Sequence, residues 1–154
     1  IREDGHSRSG KELTAVNDIV IHYVGNPGTT AQANRDFFDS DASNVSSHYV
    51  IGLDGEIIQC LPLDERSAAS NNRNPDTISI EVCHPDSTGK FNEDTYRSLV
   101  KLTAWLCEKT ELSEKDVIRH HDITGKECPL YYVKHAAEWE TRKADIGKAI
   151  KSSK

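Results

Sequence analysis

Residues 18–28 read DIVIHYVGNPG, and the fold follows from how that run is placed. β-Branched and aromatic side chains from Asp18 to Val24 describe a strand, and Gly25-Asn26-Pro27-Gly28 stop it with a strong turn signal. Thr29 or Thr30 then caps a helix to about Asp39, with Ala33, Phe37 and Phe38 on its apolar side. Ser46–Gly52 and Glu56–Leu61 read as two strands joined by a tight loop at Leu53-Asp54-Gly55. Thr77–Cys83 alternates: Ile78, Ile80 and Val82 on one face, Thr77, Ser79 and Glu81 on the other. Asn92 caps the longest helix, to about Lys109, with Tyr96, Leu99, Leu102, Thr103 and Leu106 as its buried stripe. Val117–Arg119 is a short strand delivering His120, and a last helix over 133–150 turns Trp139, Ile146 and Ile150 inward. Strands alternating with helices predict a single α/β (α+β) domain, a central mixed sheet of about five or six strands flanked by helices. The order of the strands is left open.

The chain has 154 residues, enough for one domain with its own core and too few for two ordinary ones. No apolar run approaches the roughly 20 residues of a membrane-spanning helix. With 25 acidic against 19 basic residues and no dense Lys/Arg cluster, nucleic acid is not the expected partner. Residues 1–12 carry no period and read as a surface arm, 13–150 as the domain, and 151–154 as a tail. The basic, polar run Lys148–Lys154 reads as a fraying terminus or the start of a linker. A start at Ile1, no Met and no export signal are what a mature or excised segment shows. Three of the four cysteines, Cys60, Cys83 and Cys107, sit in apolar runs and read as small hydrophobes rather than disulfide partners. Cys128 lies in a polar stretch before Pro129 and needs another explanation. Leu63–Asp76, dense in Asn, Ser, Arg and Pro, is long enough to read as a functional loop.

That explanation comes from the stretch VIRHHDITGKECP. His120 ends a strand, and Cys128 follows eight residues later beyond the turn at Gly125. Imidazole and thiolate are ligands zinc prefers, and three protein ligands with a fourth position for water make a catalytic site. His22, on the same strand face as Val20 and Val24, could be the third. The other reading is a packed core histidine in the first strand and a buried thiol in the second segment.

The blocks IVIHYVGNPG, SSHYVIGLDGEIIQC, NPDTISIEVCH and VIRHHDITGKECP, in this order and with these gaps, resemble the zinc-dependent N-acetylmuramoyl-L-alanine amidases, which share their fold with peptidoglycan recognition proteins. The likeness runs from about Leu13 to Trp139. It implies one zinc ion held by His22, His120 and Cys128, with His121 a neighbour. It also implies Glu81, Lys126 and Tyr49 as catalytic residues, and a peptidoglycan muropeptide as substrate. The implied reaction cuts the amide between N-acetylmuramic acid and the L-alanine of the stem peptide. Glu81 would move the proton, while Lys126 and Tyr49 would steady the developing oxyanion. On residues alone, Glu81 reads equally as a solvated strand-end carboxylate and Tyr49 equally as a packed core residue, while Lys126 reads as an ordinary surface lysine. Asp122 is either a partner of a ligand or a loop cap, and His84 a rim residue or an exposed loop histidine. Many members carry Trp-His-Ala after the second hairpin strand, where this chain has Arg66-Ser67-Ala68-Ala69-Ser70-Asn71, so that substrate contact is not carried over. The family also implies a monomer, secreted or wall-associated, or phage-encoded and released at lysis as an endolysin or autolysin. Two other readings stand beside it: a non-catalytic peptidoglycan-binding module, which commonly lacks the third ligand, and a cysteine peptidase pairing Cys128 with His120 or His121.

Overall fold

The computed structural model describes residues 1–153. Five strands, β1 Asp18–Tyr23, β2 Tyr49–Ile51, β3 Ile57–Gln59, β4 Thr77–Val82 and β5 Val117–Arg119, form one sheet in the order β3-β2-β4-β1-β5. β1 runs parallel to β4 and β5, β2 parallel to β4, and β3 antiparallel to β2. Parallel neighbours cannot be joined by a hairpin. The helix α1, Ala31–Phe38, accordingly lies between β1 and β2 in the chain, and α2, Glu93–Thr110, between β4 and β5.

The register sorts the side chains. Ile19 pairs with Ile78 and Ile21 with Ile80, while Val20 pairs with Ser79 and His22 with Glu81. Because side chains alternate along a strand, one face of the β1–β4 pair is apolar, with four isoleucines at its centre, and the other is mostly polar. The isoleucine face meets Leu99, Leu102 and Leu106 of α2 and Trp139, Ile146 and Ile150 of α5, Ala136–Ser152, in the main core. A smaller cluster lies elsewhere, made of Ala31 and Phe38 of α1 with Val50, Cys60 and Cys83. All four cysteines are buried free thiols. Among the described residues no helix is long and apolar enough to cross a membrane.

Local chemistry sets the ends of these elements. Thr30 caps α1, its hydroxyl accepting from Ala33 N at 3.0 Å, and Asn92 caps α2, accepting from Thr95 N at 2.9 Å. Gly55 turns the hairpin at φ +83°, and a Cβ there would lie 2.8 Å from the carbonyl oxygen of Asp94.

Three expectations are corrected. The apolar side of α1 is Ala31 and Phe38, with Ala33 exposed and Phe37 50% exposed. This short helix buries only one edge and turns its Ala33–Phe37 row, one turn apart, toward a cleft. The last helix is two: α4, Leu130–Lys134, and α5, broken at His135 with φ −124° and ψ 69°. There the His135 ring stacks on Tyr131 at 4.0 Å and its Nδ1 binds the Tyr131 carbonyl at 2.8 Å, tying the chain back on itself. The basic C-terminal run is helical to Ser152, because Ile150 is buried in the core. At the other end, residues 1–12 form no helix or strand but are pinned: Arg8 pairs with Glu65, and Ser7 is buried and bonds Ser43 O at 2.9 Å.

Candidate active site

β1, β5 and the segment that returns to Cys128 converge at one end of the polar face. His120 follows β5 directly, its N–H bonding Ile21 O, so it arrives beside His22. The two rings meet edge to face with centroids 4.8 Å apart. A single helical turn, α3 His121–Thr124, then closes at Gly125 with φ +82°, and the chain returns so that His121 N bonds Cys128 O at 3.0 Å. This return brings Cys128 Sγ to 3.8 Å from His22 Nδ1, and one ligand atom from each of His22, His120 and Cys128 lies within 4.8 Å of the others. The three can hold a metal ion.

The protonation states suit that role. Burial, then the neighbouring His120 and Lys126 charges, push the His22 imidazole down to about 3, and burial lowers His120 too, so both rings are neutral donors. Burial drives the Cys128 thiol up to about 12. A thiolate there requires a cation beside it, which argues against a free cysteine nucleophile and for a coordinated sulfur. Tetrahedral zinc asks for sulfur–nitrogen separations of roughly 3.5 Å, close to the 3.8 Å observed.

Glu81, paired with His22 across β4–β1, lines the same cleft. It is 7% exposed, its Oε2 has no hydrogen-bond partner, and burial raises its carboxyl to about 8 against the pull of Lys126. An unpartnered buried carboxyl oxygen is costly. Lys126 is exposed and lines the cleft. Tyr49 is not brought here: it pairs with Ile80, shares the isoleucine face and sits in the main core. Asp122 caps the turn instead of touching a ligand, accepting from Arg119 N at 2.9 Å and from its guanidinium at 2.8 Å. His84 is neither rim nor solvent but 1% exposed, its Nε2 accepting from Gly25 N at 3.1 Å, and so fixes the loop after β1. His121 does not line the cleft; its Nδ1 faces Lys126 O at 3.2 Å.

The cleft encloses about 760 Å³. One wall is Ala33, Phe37 and Val45, and another is the loop after β3, through Ala68, Ala69, Asn71 and Asn74. That loop also touches the cluster: Ser70 Oγ lies 3.3 Å from His22 Nε2, and Asn71 Oδ1 lies 2.6 Å from His120 Nε2. Neither residue was singled out by the sequence. The only signal was the density of Asn and Ser over 63–76.

A family model described as N-acetylmuramoyl-L-alanine amidase matches residues 12–131, most of the chain and every residue of the cluster. The chain belongs to the N-acetylmuramoyl-L-alanine amidase family. Among curated relatives of this hydrolase family, the amidase BlyA of Bacillus subtilis (strain 168) is 30% identical over 155 residues, which is 87% of this chain and 42% of that protein. The amidase CwlL of Bacillus licheniformis is 27% identical, over 92% of this chain and 43% of that protein. The amidase-family chain thus spans less than half the length of these relatives. Its fold superposes on the catalytic domain of XlyA with a TM-score of 0.82 at 26% identity, covering 96% of this chain and 95% of that one. A mutant endolysin from Bacillus subtilis gives 0.83 at 27% identity, with the same coverage.

Proposed function

We propose that the chain is a zinc-dependent peptidoglycan hydrolase that cleaves the amide between N-acetylmuramic acid and the L-alanine of the stem peptide. The observation that carries this reading is the His22–His120–Cys128 cluster with Glu81 buried and unpartnered beside it. Two neutral imidazoles and one thiolate are a donor set that holds zinc and leaves the ion a net charge of about +1. Zinc in such a site supplies Lewis acidity and lowers the pKa of water to about 7.

The protein's own groups do the rest. Glu81, once a bound cation's charge offsets the burial that keeps its carboxyl protonated, would accept a proton from the attacking water at its free Oε2 and pass it to the leaving nitrogen as the carbon–nitrogen bond breaks. The products are a carboxylate on the lactoyl group and an ammonium on the peptide, whose nitrogen takes up both protons of the water. Lys126, at the open side of the cleft, places positive charge near the carbonyl oxygen as it becomes anionic. The apolar wall of Ala33, Phe37 and Val45 supplies surface for the substrate's uncharged parts and keeps bulk water away. Tyr49, packed in the core, is given no part in this scheme. Residues 13–150 are the catalytic unit, with 1–12 as an arm pinned to it. The enzyme acts as a monomer on the wall, either secreted or released at phage lysis.

Zinc content and stem-peptide release from muropeptides, compared between the native chain and Glu81→Ala, test the reading. Full zinc and an unchanged melting temperature, with turnover down by roughly 10²- to 10⁴-fold, are expected. Unchanged turnover would remove Glu81 from the mechanism. A native chain that binds muropeptide but releases nothing would make it a binding module.

A further inference from the structure

We infer that Asn71 is a positioning residue for the metal cluster, selecting which nitrogen of His120 is available as a ligand. The inference rests on the metal reading of His22, His120 and Cys128. An imidazole offers a lone pair from one nitrogen only when the other carries the proton, so whatever accepts that proton fixes the tautomer. The Asn71 amide oxygen lies 2.6 Å from His120 Nε2. An oxygen so close calls for N–H at Nε2, and that leaves Nδ1 as the bare donor.

Three features make this a built contact. Asn71 has φ 56°, a left-handed conformation that non-glycine residues seldom adopt and asparagine tolerates best. The turn that requires it opens the 3-10 segment Asn71–Asp76, which Arg73 fastens to Asp18 at the start of β1 and to Asp76. Thus the residue that contacts His120 is anchored to the strand that carries His22. The neighbouring Ser70 reaches His22 as Asn71 reaches His120. It is fully buried, 3.3 Å from His22 Nε2, and bonded in turn to Ser79 Oγ at 2.9 Å. Each ring therefore has its Nε2 held by adjacent residues of one loop, while His22 Nδ1 faces the sulfur of Cys128.

The left-handed backbone supplies a clean test, because glycine fits φ 56° and Asn71→Gly deletes the amide without backbone strain. Asn71→Asp keeps an oxygen in the same place. Long-range ¹H–¹⁵N spectra of the metal-free protein at neutral pH should give the Nε2–H tautomer of His120 in the native chain and in Asn71→Asp, and a mixture in Asn71→Gly. Zinc affinity, measured by chelator competition, should fall roughly 10- to 100-fold in Asn71→Gly and stay within a few-fold in Asn71→Asp. Native-like melting of Asn71→Gly shows that the loop has folded. A pure Nε2–H tautomer with native affinity in the glycine variant overturns the inference, as does an Nδ1–H tautomer in the native chain. A native chain that takes up no zinc defeats the metal reading, while the tautomer spectra still report on Asn71.

Discussion

The two faces of the β1–β4 pair are both closed to solvent, yet they are held by different physics. Ile19, Ile21, Ile78 and Ile80 bury hydrocarbon against α2 and α5, a non-directional gain of about 25 cal/mol for each Å² removed from water. Val20, His22, Ser79 and Glu81 face the other way, where each polar group needs a partner in the right place. Ser79 finds Ser67 and Ser70, His22 finds Ser70 and Cys128, and Glu81 Oε2 finds none. The stability supplied by one face lets the other keep groups that cost free energy. A site of this kind belongs on a sheet whose opposite side is well packed.

Substitutions on the two faces should therefore separate activity from stability. The largest effect on activity is expected from Cys128→Ser. It should lose retained zinc and reduce amide cleavage to background while changing the stability of the metal-free protein by only about 1 kcal/mol; metal analysis beside thermal melting checks both halves. Ile80→Ala should do the reverse. A cavity in the centre of the core should cost about 3 kcal/mol, a fall of roughly 6–12 °C in melting temperature, with zinc stoichiometry intact below the transition. A variant of Ile80 that stays stable but loses metal would collapse the distinction.

The smallest effect lies where the N-terminal segment is pinned. The Arg8 guanidinium donates two hydrogen bonds to Glu65 and holds its carboxyl below the usual carboxylate range. A carboxylate whose pKa is depressed by folding stabilises the protein above its unfolded value of about 4.3, and that contribution disappears as pH falls through the folded value. Arg8→Ala should therefore cost about 1 kcal/mol at pH 7. The gap between its melting curve and the native one should close progressively below about pH 4. A gap that persists in acid would mean that Arg8 acts through packing and its bond to Ile1 O rather than through Glu65.

Much of this is legible in the sequence. The runs at Asp18–Tyr23 and Thr77–Val82 announce themselves by β-branched residues, and Thr30 and Asn92 by capping chemistry, because these signals act within a few residues. The three residues able to hold a metal were legible too, since imidazole and sulfur at the ends of strands and turns are rare and chemically specific. Other features had no local signature. The break at His135 depends on a ring stacked on Tyr131, and the cleft-facing row of α1 depends on what lies across from it.

The amino-acid order by itself determined the elements, their alternation with helices, and the identity of the residues able to bind a metal, because propensity, capping and donor chemistry are properties of neighbouring residues. The tertiary structure decided which of them meet. Register placed Glu81 beside His22 and sent Tyr49 to the opposite face, and the loop after β3 brought Ser70 and Asn71 onto the two rings. Strand order and loop placement are set by the summed packing of distant segments, and no stretch of sequence carries that sum alone.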